Sequence, residues 1–201
     1  MNDELLELEM LYENSEESVP RSELLKFIDS DQPEVLGSLY AKLTKRSFTE
    51  KIVPPMEFGD CKRLFLEFYG LCISNDNVEA DNPQLFLISR YIAAVDFGRW
   101  FVSIVEDRKI ARSDVADVVR WLENLYVQGD QEIRSCLIVA SLEHMFSRNS
   151  IRKLFSSWKF DPILGGAYRE ATAKSRYEHL NAEENVDYFN RQGSNMPVRR
   201  E

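Results

Sequence analysis

Two helical patterns meet at a Gly-Asp junction in residues 115–146, VADVVRWLENLYVQGDQEIRSCLIVASLEHMF. In the first pattern, apolar residues recur at the spacing of a helix with one buried face: Val115, Val118, Val119, Leu122, Leu125 and Tyr126. In the second, the apolar residues after Arg134 cover almost every direction around the axis, which is typical of a central helix. Gly129 is predicted to end the first helix and Asp130 to cap the second. The pattern therefore predicts an antiparallel helical hairpin.

The rest of the chain continues the helical pattern, with few glycines and long runs between turn signals. It predicts an all-α fold, either a bundle or a short stack of antiparallel helical hairpins. Besides the hairpin, helices are predicted at residues 3–13, 21–29, 33–43, 56–74, 84–107, 149–160 and 167–189. The predicted helix caps include Asn82 and Ser113, and residues 45–60 are predicted to form a loop around the Pro54-Pro55 pair.

Composition divides the chain into four segments. They are an acidic N-terminal helical segment (1–34), a helical core (35–158), polar C-terminal helices (159–190) and a disordered tail (191–201). In the first segment, acidic and apolar residues of the helix at 3–13 interleave without a clean face. In the third, the helix at 167–189 is largely polar, so we expect it to pack poorly and to lie on the surface or await a partner.

Charge is unevenly distributed along the chain. The net charge is -9, and residues 1–34, with eleven acidic and two basic residues, carry all of this excess. An acidic field repels nucleic acid and attracts basic partners. The sequence therefore predicts no nucleic-acid binding and favours a basic protein partner, although an acidic leader can also serve solubility alone.

Three cysteines lie among apolar residues without a CxxC spacing: Cys61, Cys72 and Cys136. They are typical of reduced, protonated core thiols and predict neither a disulfide framework nor a metal site. The N-terminus is acidic where a secretory signal would be basic. The most apolar stretch, residues 85–105, is interrupted by three charges: Arg90, Asp96 and Arg99. We expect a cytoplasmic protein that does not enter a membrane and uses no cofactor.

Glu143 and His144 are the first candidates for acid–base chemistry. Adjacent helical residues point about 100° apart, so these two side chains cannot act together on the same substrate atom. His144 is expected to be a core or boundary residue, and the other histidine, His179, lies in the polar C-terminal helix. Phosphate-loop, dinucleotide-binding, HExxH and GxSxG motifs are missing from the sequence. One polar stripe lies on the helix predicted at 84–107: Ser89, Asp96, Arg99 and Ser103. An enzyme would need this stripe together with a histidine as its active site, but such a stripe is more commonly the solvent-facing edge of a helix.

Residues 84–146 resemble a family of small acidic all-helical bacterial immunity proteins that are encoded beside polymorphic toxins. The resemblance is carried by the helix before the junction and by Gly129, Asp130, Glu132, Ile133, Arg134, Leu142 and Glu143. It implies a non-catalytic protein that binds and neutralises a cognate toxin. Arg134 and Glu143 are expected to brace the hairpin rather than to contact a partner.

The sequence thus predicts an immunity protein without enzymatic activity. Acidic inhibitors associate rapidly with basic targets, so we expect a toxin with a basic surface to meet some of six acidic residues: Glu7, Glu13, Glu16, Glu17, Asp29 and Asp31. The alternative is a helical adaptor that binds another protein through its grooves. The oligomeric state is open.

Overall fold

The computed structural model describes residues 3–14, 18–75 and 88–175, and over these residues the fold is all-α, as predicted. The first five helices are α1 (Asp3–Glu13), α2 (Arg21–Leu25), α3 (Pro33–Leu43), α4 (Arg46–Thr49) and α5 (Phe58–Ser74). The later helices are α6 (Arg90–Glu106), α7 (Arg112–Gln128), α8 (Gln131–Cys136), α9 (Glu143–Phe146), α10 (Asn149–Leu154) and α11 (residues 164–175). The predicted start of α3 at Pro33 is confirmed, as is the extent of α1.

The predicted loop at 45–60 is more ordered than expected. It contains α4 and a two-residue strand, β2 (Ile52–Val53), which pairs in parallel with β1 (Val19–Pro20). Val19 and Ile52 are almost fully buried, and the Val19 amide donates to the Lys51 carbonyl at 2.9 Å. Strands of two residues have no periodicity that a sequence pattern can reveal.

The helix at the Gly-Asp junction is continuous from α8 to α9 through a π-helical segment, Leu137–Leu142. Most of its residues are buried, which confirms the predicted central helix. The most extensive backbone contacts of this helix are with α6, a neighbour that the sequence pattern did not indicate. Small residues permit that approach. A Cβ on Gly98 would lie 3.5 Å from the Cα of Ser141, and the Ser141 hydroxyl donates to the Ala94 carbonyl at 2.6 Å.

Two predicted helix starts need correction. Ser113 lies inside α7, whose N-cap is Ala111, and Ser89 rather than Asn82 caps the described part of α6. Asn82 lies outside the described residues. Although residues 85–105 are the most apolar stretch of the chain, α6 is buried on one side only, since Tyr91 and Ile92 are 55% and 53% exposed.

The C-terminal helices contribute to the core, contrary to expectation. The helix predicted at 149–160 divides into α10 and a 3₁₀ turn (Ser156–Phe160). In α11 the buried residues recur at helical spacing on one side: Leu164, Ala167, Tyr168, Ala171 and Ser175. Small and aromatic residues therefore give this polar helix a narrow apolar stripe, which suffices for packing. Residues 176–201, with His179 and the predicted tail, lie outside the described residues.

One cluster of buried side chains runs from Leu8 in α1 to Ala171 in α11. Aromatic rings fill its centre: Phe68, Tyr69, Phe97, Phe101, Phe146, Phe155 and Trp158. Cys72 and Cys136 are buried and form no disulfide, as predicted for core thiols, whereas Cys61 is only half-buried. Burial raises the pKa of Cys72 to about 11, in keeping with a predicted inert thiol. Among the described helices, none combines the length and the hydropathy that crossing a bilayer requires.

Candidate functional site

Helix α1 is held against the molecule by its apolar side and by two hydrogen bonds. Leu8 is fully buried. The Ser30 hydroxyl donates to Glu4 at 2.9 Å, and the Ser38 hydroxyl donates to Glu9 at 2.8 Å. Two of the acidic residues of α1 are therefore used to attach the helix on either side of its buried residue.

The C-terminal half of α1 is anchored by Tyr12. Its ring meets that of Phe48 edge-on at 5.3 Å between centroids, and the Lys42 ammonium lies 4.5 Å from the ring centroid. Burial raises the pKa of the Tyr12 hydroxyl above its ordinary value. These contacts fix the rotation of α1 about its axis and so determine which residues face solvent.

The outward side of α1 combines acidic and large apolar side chains. Its exposed residues span an arc of about 120° at 3.6 residues per turn, and we call them the α1 face: Asp3, Leu6, Glu7, Met10 and Glu13. Leu6 is 42% and Met10 is 51% exposed. An apolar strip flanked by three carboxylates is thus presented to solvent.

Asp29 and Asp31 lie in the turn after α2 that contacts the first turn of α1. They flank Ser30, whose hydrogen bond to Glu4 brings this turn against the first turn of α1. Both side chains are exposed. Arg63 pairs with Asp29 at 3.2 Å, and the side-chain NH₂ group of Gln32 donates to Asp31 at 2.9 Å.

Of the six acidic residues predicted to bind a partner, four are exposed in the described residues: Glu7 and Glu13 on the α1 face, and Asp29 and Asp31 in the turn that Ser30 attaches to the first turn of α1. Glu16 and Glu17 lie outside the described residues. The pattern missed Leu6 and Met10, although their i, i+4 spacing alongside Glu7 was a usable signal. Carboxylates with exposed apolar side chains suit the binding of a basic surface, because an interface combines an apolar centre with a polar rim.

The Gly-Asp junction has a structural role. The Asp130 carboxylate accepts from the Ile133 amide at 2.8 Å, which confirms it as the cap of α8. Arg134 donates to the carbonyls of Tyr126 and Val127 at 3.0 and 2.7 Å. These carbonyls lie in the last turn of α7 and lack partners within that helix. The predicted bracing role of Arg134 is therefore confirmed.

Arg90, which the pattern treated only as a charge in an apolar stretch, is 6% exposed and joins three helices. Its guanidinium donates to the Ile73 and Ser74 carbonyls at the end of α5, at 2.7 and 3.4 Å. It also pairs with Glu132 in the first turn of α8 at 3.2 Å. Nothing in the sequence near Arg90 indicates this contact, since its partners are 16 to 42 positions away.

The polar stripe of α6 is used locally. Arg99 pairs with Asp96 at 3.3 Å, and the Ser103 hydroxyl donates to the Trp100 carbonyl at 2.7 Å. His144 is exposed rather than in the core, and it shares with Arg99 a surface groove of about 420 Å³. The other charged side chain of that groove is Arg148, so its lining is cationic and holds no carboxylate.

Within residues 3–14, 18–75 and 88–175, no three His, Cys, Asp or Glu side chains are grouped in a way that could hold a metal ion. Comparison of the chain with protein-family models, with curated proteins and with solved structures finds no match.

Proposed function

We propose that this protein binds and neutralises a cognate protein toxin in a stoichiometric complex, without catalysis. The observation that carries the proposal is the α1 face, in which Leu6 and Met10 are exposed between carboxylates. A basic protein surface with an apolar centre is complementary to this face. Long-range attraction by the carboxylates would accelerate encounter, and the apolar pair would slow dissociation.

The α1 face alone is too small for a standard protein–protein interface, so the proposed interface has to include neighbouring residues. The helix has 11 residues, which at about 1.5 Å per residue is roughly 16 Å. A standard interface buries about 800 Å² on each partner, which exceeds one face of such a helix. We infer that the turn with Asp29 and Asp31, which contacts the first turn of α1 through Ser30 and Glu4, adds to this surface.

The resemblance to immunity proteins supports the scaffold rather than the contact surface. Of the resembling residues, Glu132 and Arg134 are engaged in contacts between helices, and Asp130 caps α8. A rigid junction of this kind suits an inhibitor, because a pre-ordered surface loses little entropy on binding. Specificity for one toxin would then reside in the α1 face.

The first test is growth rescue. The product of the neighbouring gene is expressed in a sensitive host with and without this protein, and the two proteins are then tested for co-elution. Relief of toxicity with a one-to-one complex supports the proposal. Toxicity that persists in the presence of this protein, or a neighbour that is harmless, contradicts it.

The second test assigns the interaction to the α1 face. The double variant Glu7→Gln/Glu13→Gln is compared with Glu67→Gln/Glu123→Gln, which makes the same change in net charge on α5 and α7. We expect at least about a tenfold slower association at low salt for the first pair only, since steering acts through local charge. An equal effect of both pairs would indicate a response to net charge alone.

The helical-adaptor alternative is favoured by a different observation. An apolar groove of about 750 Å³ lies where α6, α7 and α10 meet, lined by Ile104, Val115, Val119 and Leu154. Its lining also includes Arg108, Arg112 and Asp107, a set with a net positive charge, so its complement is an amphipathic segment with acidic flanks. Leu154 is 41% exposed. If Leu154→Asp abolishes partner binding and the α1 variant does not, the adaptor function is the correct one.

A further inference from the structure

A second cavity, separate from the α1 face, is formed by α10, the 3₁₀ turn and α11. Its volume is about 320 Å³. Three of its lining side chains are cationic: Arg152, Lys153 and Lys159. The four remaining lining residues are neutral and polar: Asn149, Ser156, Tyr168 and Thr172. In a chain with 34 acidic and 25 basic residues, a cavity lined by three cations and no carboxylate is not what composition alone would produce.

The cations of this cavity have no acidic partner among the described residues. Elsewhere the basic side chains are commonly paired, as Arg99 is with Asp96 and Arg148 with Glu106 in the neighbouring groove. Three positive charges around one small cavity repel one another. An anion held between them would remove that repulsion and gain charge-assisted hydrogen bonds.

Two of the cations are held in place by neighbouring side chains. The Arg152 guanidinium donates to the Asn149 side-chain oxygen at 3.0 Å, which leaves its other N–H groups for a ligand. The Lys159 ammonium lies 5.4 Å from the ring centroid of Tyr168. Tyr168 is itself 8% exposed and packs against Phe146 at 5.3 Å. The positions of both cations thus depend on ordered parts of the fold.

Hydroxyl groups complete the site. Thr172 lines the cavity, and its buried hydroxyl has no hydrogen-bond partner among the described residues. Buried polar atoms are normally hydrogen-bonded, so a group of this kind favours a polar ligand. A planar guanidinium, an ammonium group and hydroxyl donors together match the several acceptor oxygens of a phosphoryl group.

We propose that this cavity binds the phosphoryl group of a small phosphate monoester. The volume equals that of roughly ten water molecules, which accommodates a phosphoryl group with a sugar-sized body. The proposal is independent of toxin binding, because none of its residues belongs to the α1 face.

The test is calorimetric titration of the full chain at low ionic strength with inorganic phosphate, pyrophosphate and ribose 5-phosphate, with ribose as the neutral control. We expect saturable binding of the phosphate compounds and none of ribose. Arg152→Gln/Lys159→Gln should weaken binding by at least about tenfold, as expected for the loss of charge-assisted hydrogen bonds. The control Lys45→Gln/Lys109→Gln removes two exposed cations elsewhere and should change affinity less than about twofold.

Thr172→Val keeps the size of the side chain and removes its hydroxyl, so it tests the site without altering charge. A lower affinity for the phosphate compounds in this variant than in the unmodified protein would show that the Thr172 hydroxyl takes part in binding. Three results would overturn the proposal: no saturable binding of any phosphate compound, equal losses in the two charge pairs, or preferential binding of single-stranded DNA through the same cations. Circular dichroism of each variant confirms that it is folded.

Discussion

The junction around Gly129–Arg134 and the α1 face are both rich in charge, but their charged side chains have different surroundings. At the junction, Arg134 and Arg90 donate to carbonyl groups at the ends of α7 and α5. On the α1 face, Glu7 and Glu13 are exposed to solvent beside Leu6 and Met10. A charged group contributes to folding where the structure supplies it with polar partners of its own, and it is available for recognition where the structure does not.

The largest expected effect is at Arg90. Arg90→Met preserves much of the side-chain volume but leaves the Ile73 and Ser74 carbonyls without their donor. We expect the free energy of unfolding to fall by about 2–4 kcal/mol, because a buried charged hydrogen-bonding group is removed. Urea denaturation measures the change. The matched control Arg99→Met removes an arginine that is 78% exposed and should cost less than about 0.5 kcal/mol; similar losses in the two variants would refute the distinction.

Gly129 tests the steric part of the junction. Its φ of -67° is open to any residue, but a Cβ there would lie 2.6 Å from Cγ2 of Ile133 and 2.9 Å from the Leu125 carbonyl oxygen. Gly129→Ala should therefore destabilise the protein by about 1–3 kcal/mol through overpacking. Gly166 in α11 is the control, since a Cβ there meets nothing within 4 Å. Gly166→Ala should stabilise by about 0.5–1 kcal/mol, and thermal melts that show the same sign for both would contradict the argument.

The buried Cys72 thiol should make the stability of the protein depend on pH. Burial raises the pKa of Cys72 to about 11, so the folded protein keeps a proton that the unfolded chain releases near pH 8.5. The free energy of unfolding should therefore fall as pH rises above about 8.5, by up to about 1.4 kcal/mol per unit from this group. Urea denaturation at pH 8, 9 and 10 under reducing conditions should show a shallower dependence in Cys72→Ala. An unchanged slope would mean that this thiol does not contribute.

The smallest effects are expected on the α1 face. Met10→Ala and Glu7→Gln should each change the free energy of unfolding by less than about 0.5 kcal/mol, because both side chains are largely solvated. Leu8, in the same helix, is fully buried, and Leu8→Ala should cost about 2–5 kcal/mol. If Met10→Ala lowered the free energy of unfolding by nearly as much as Leu8→Ala, the α1 face would be part of the core.

Helices were predictable where one local pattern suffices. The spacing of Val115, Val118 and Leu122 correctly indicated the buried side of α7. The extent of α1 and the cap at Asp130 were equally local. The π-helical segment was not predictable, since Leu137–Leu142 contains neither proline nor glycine and is marked only by its close contact with α6.

The candidate site was predictable only where it depends on local sequence. Its acidic character is evident in the first 34 residues, and four of the six predicted carboxylates are exposed to solvent. Which acids attach α1 and which remain exposed depends on Ser30 and Ser38, hydroxyls 26 and 29 positions from their partners. No helical period reaches that far.

The sequence by itself determined the helical class, the apolar sides of the long helices and the acidic N-terminal segment, because these properties depend on residue type and on spacings within a few turns. Only the tertiary structure decided that Arg90 bonds to carbonyls of α5, that the 131–146 helix packs on α6, and that three cations meet around one cavity beside α11. Each of these depends on groups distant in sequence that become neighbours only when the apolar faces are buried together.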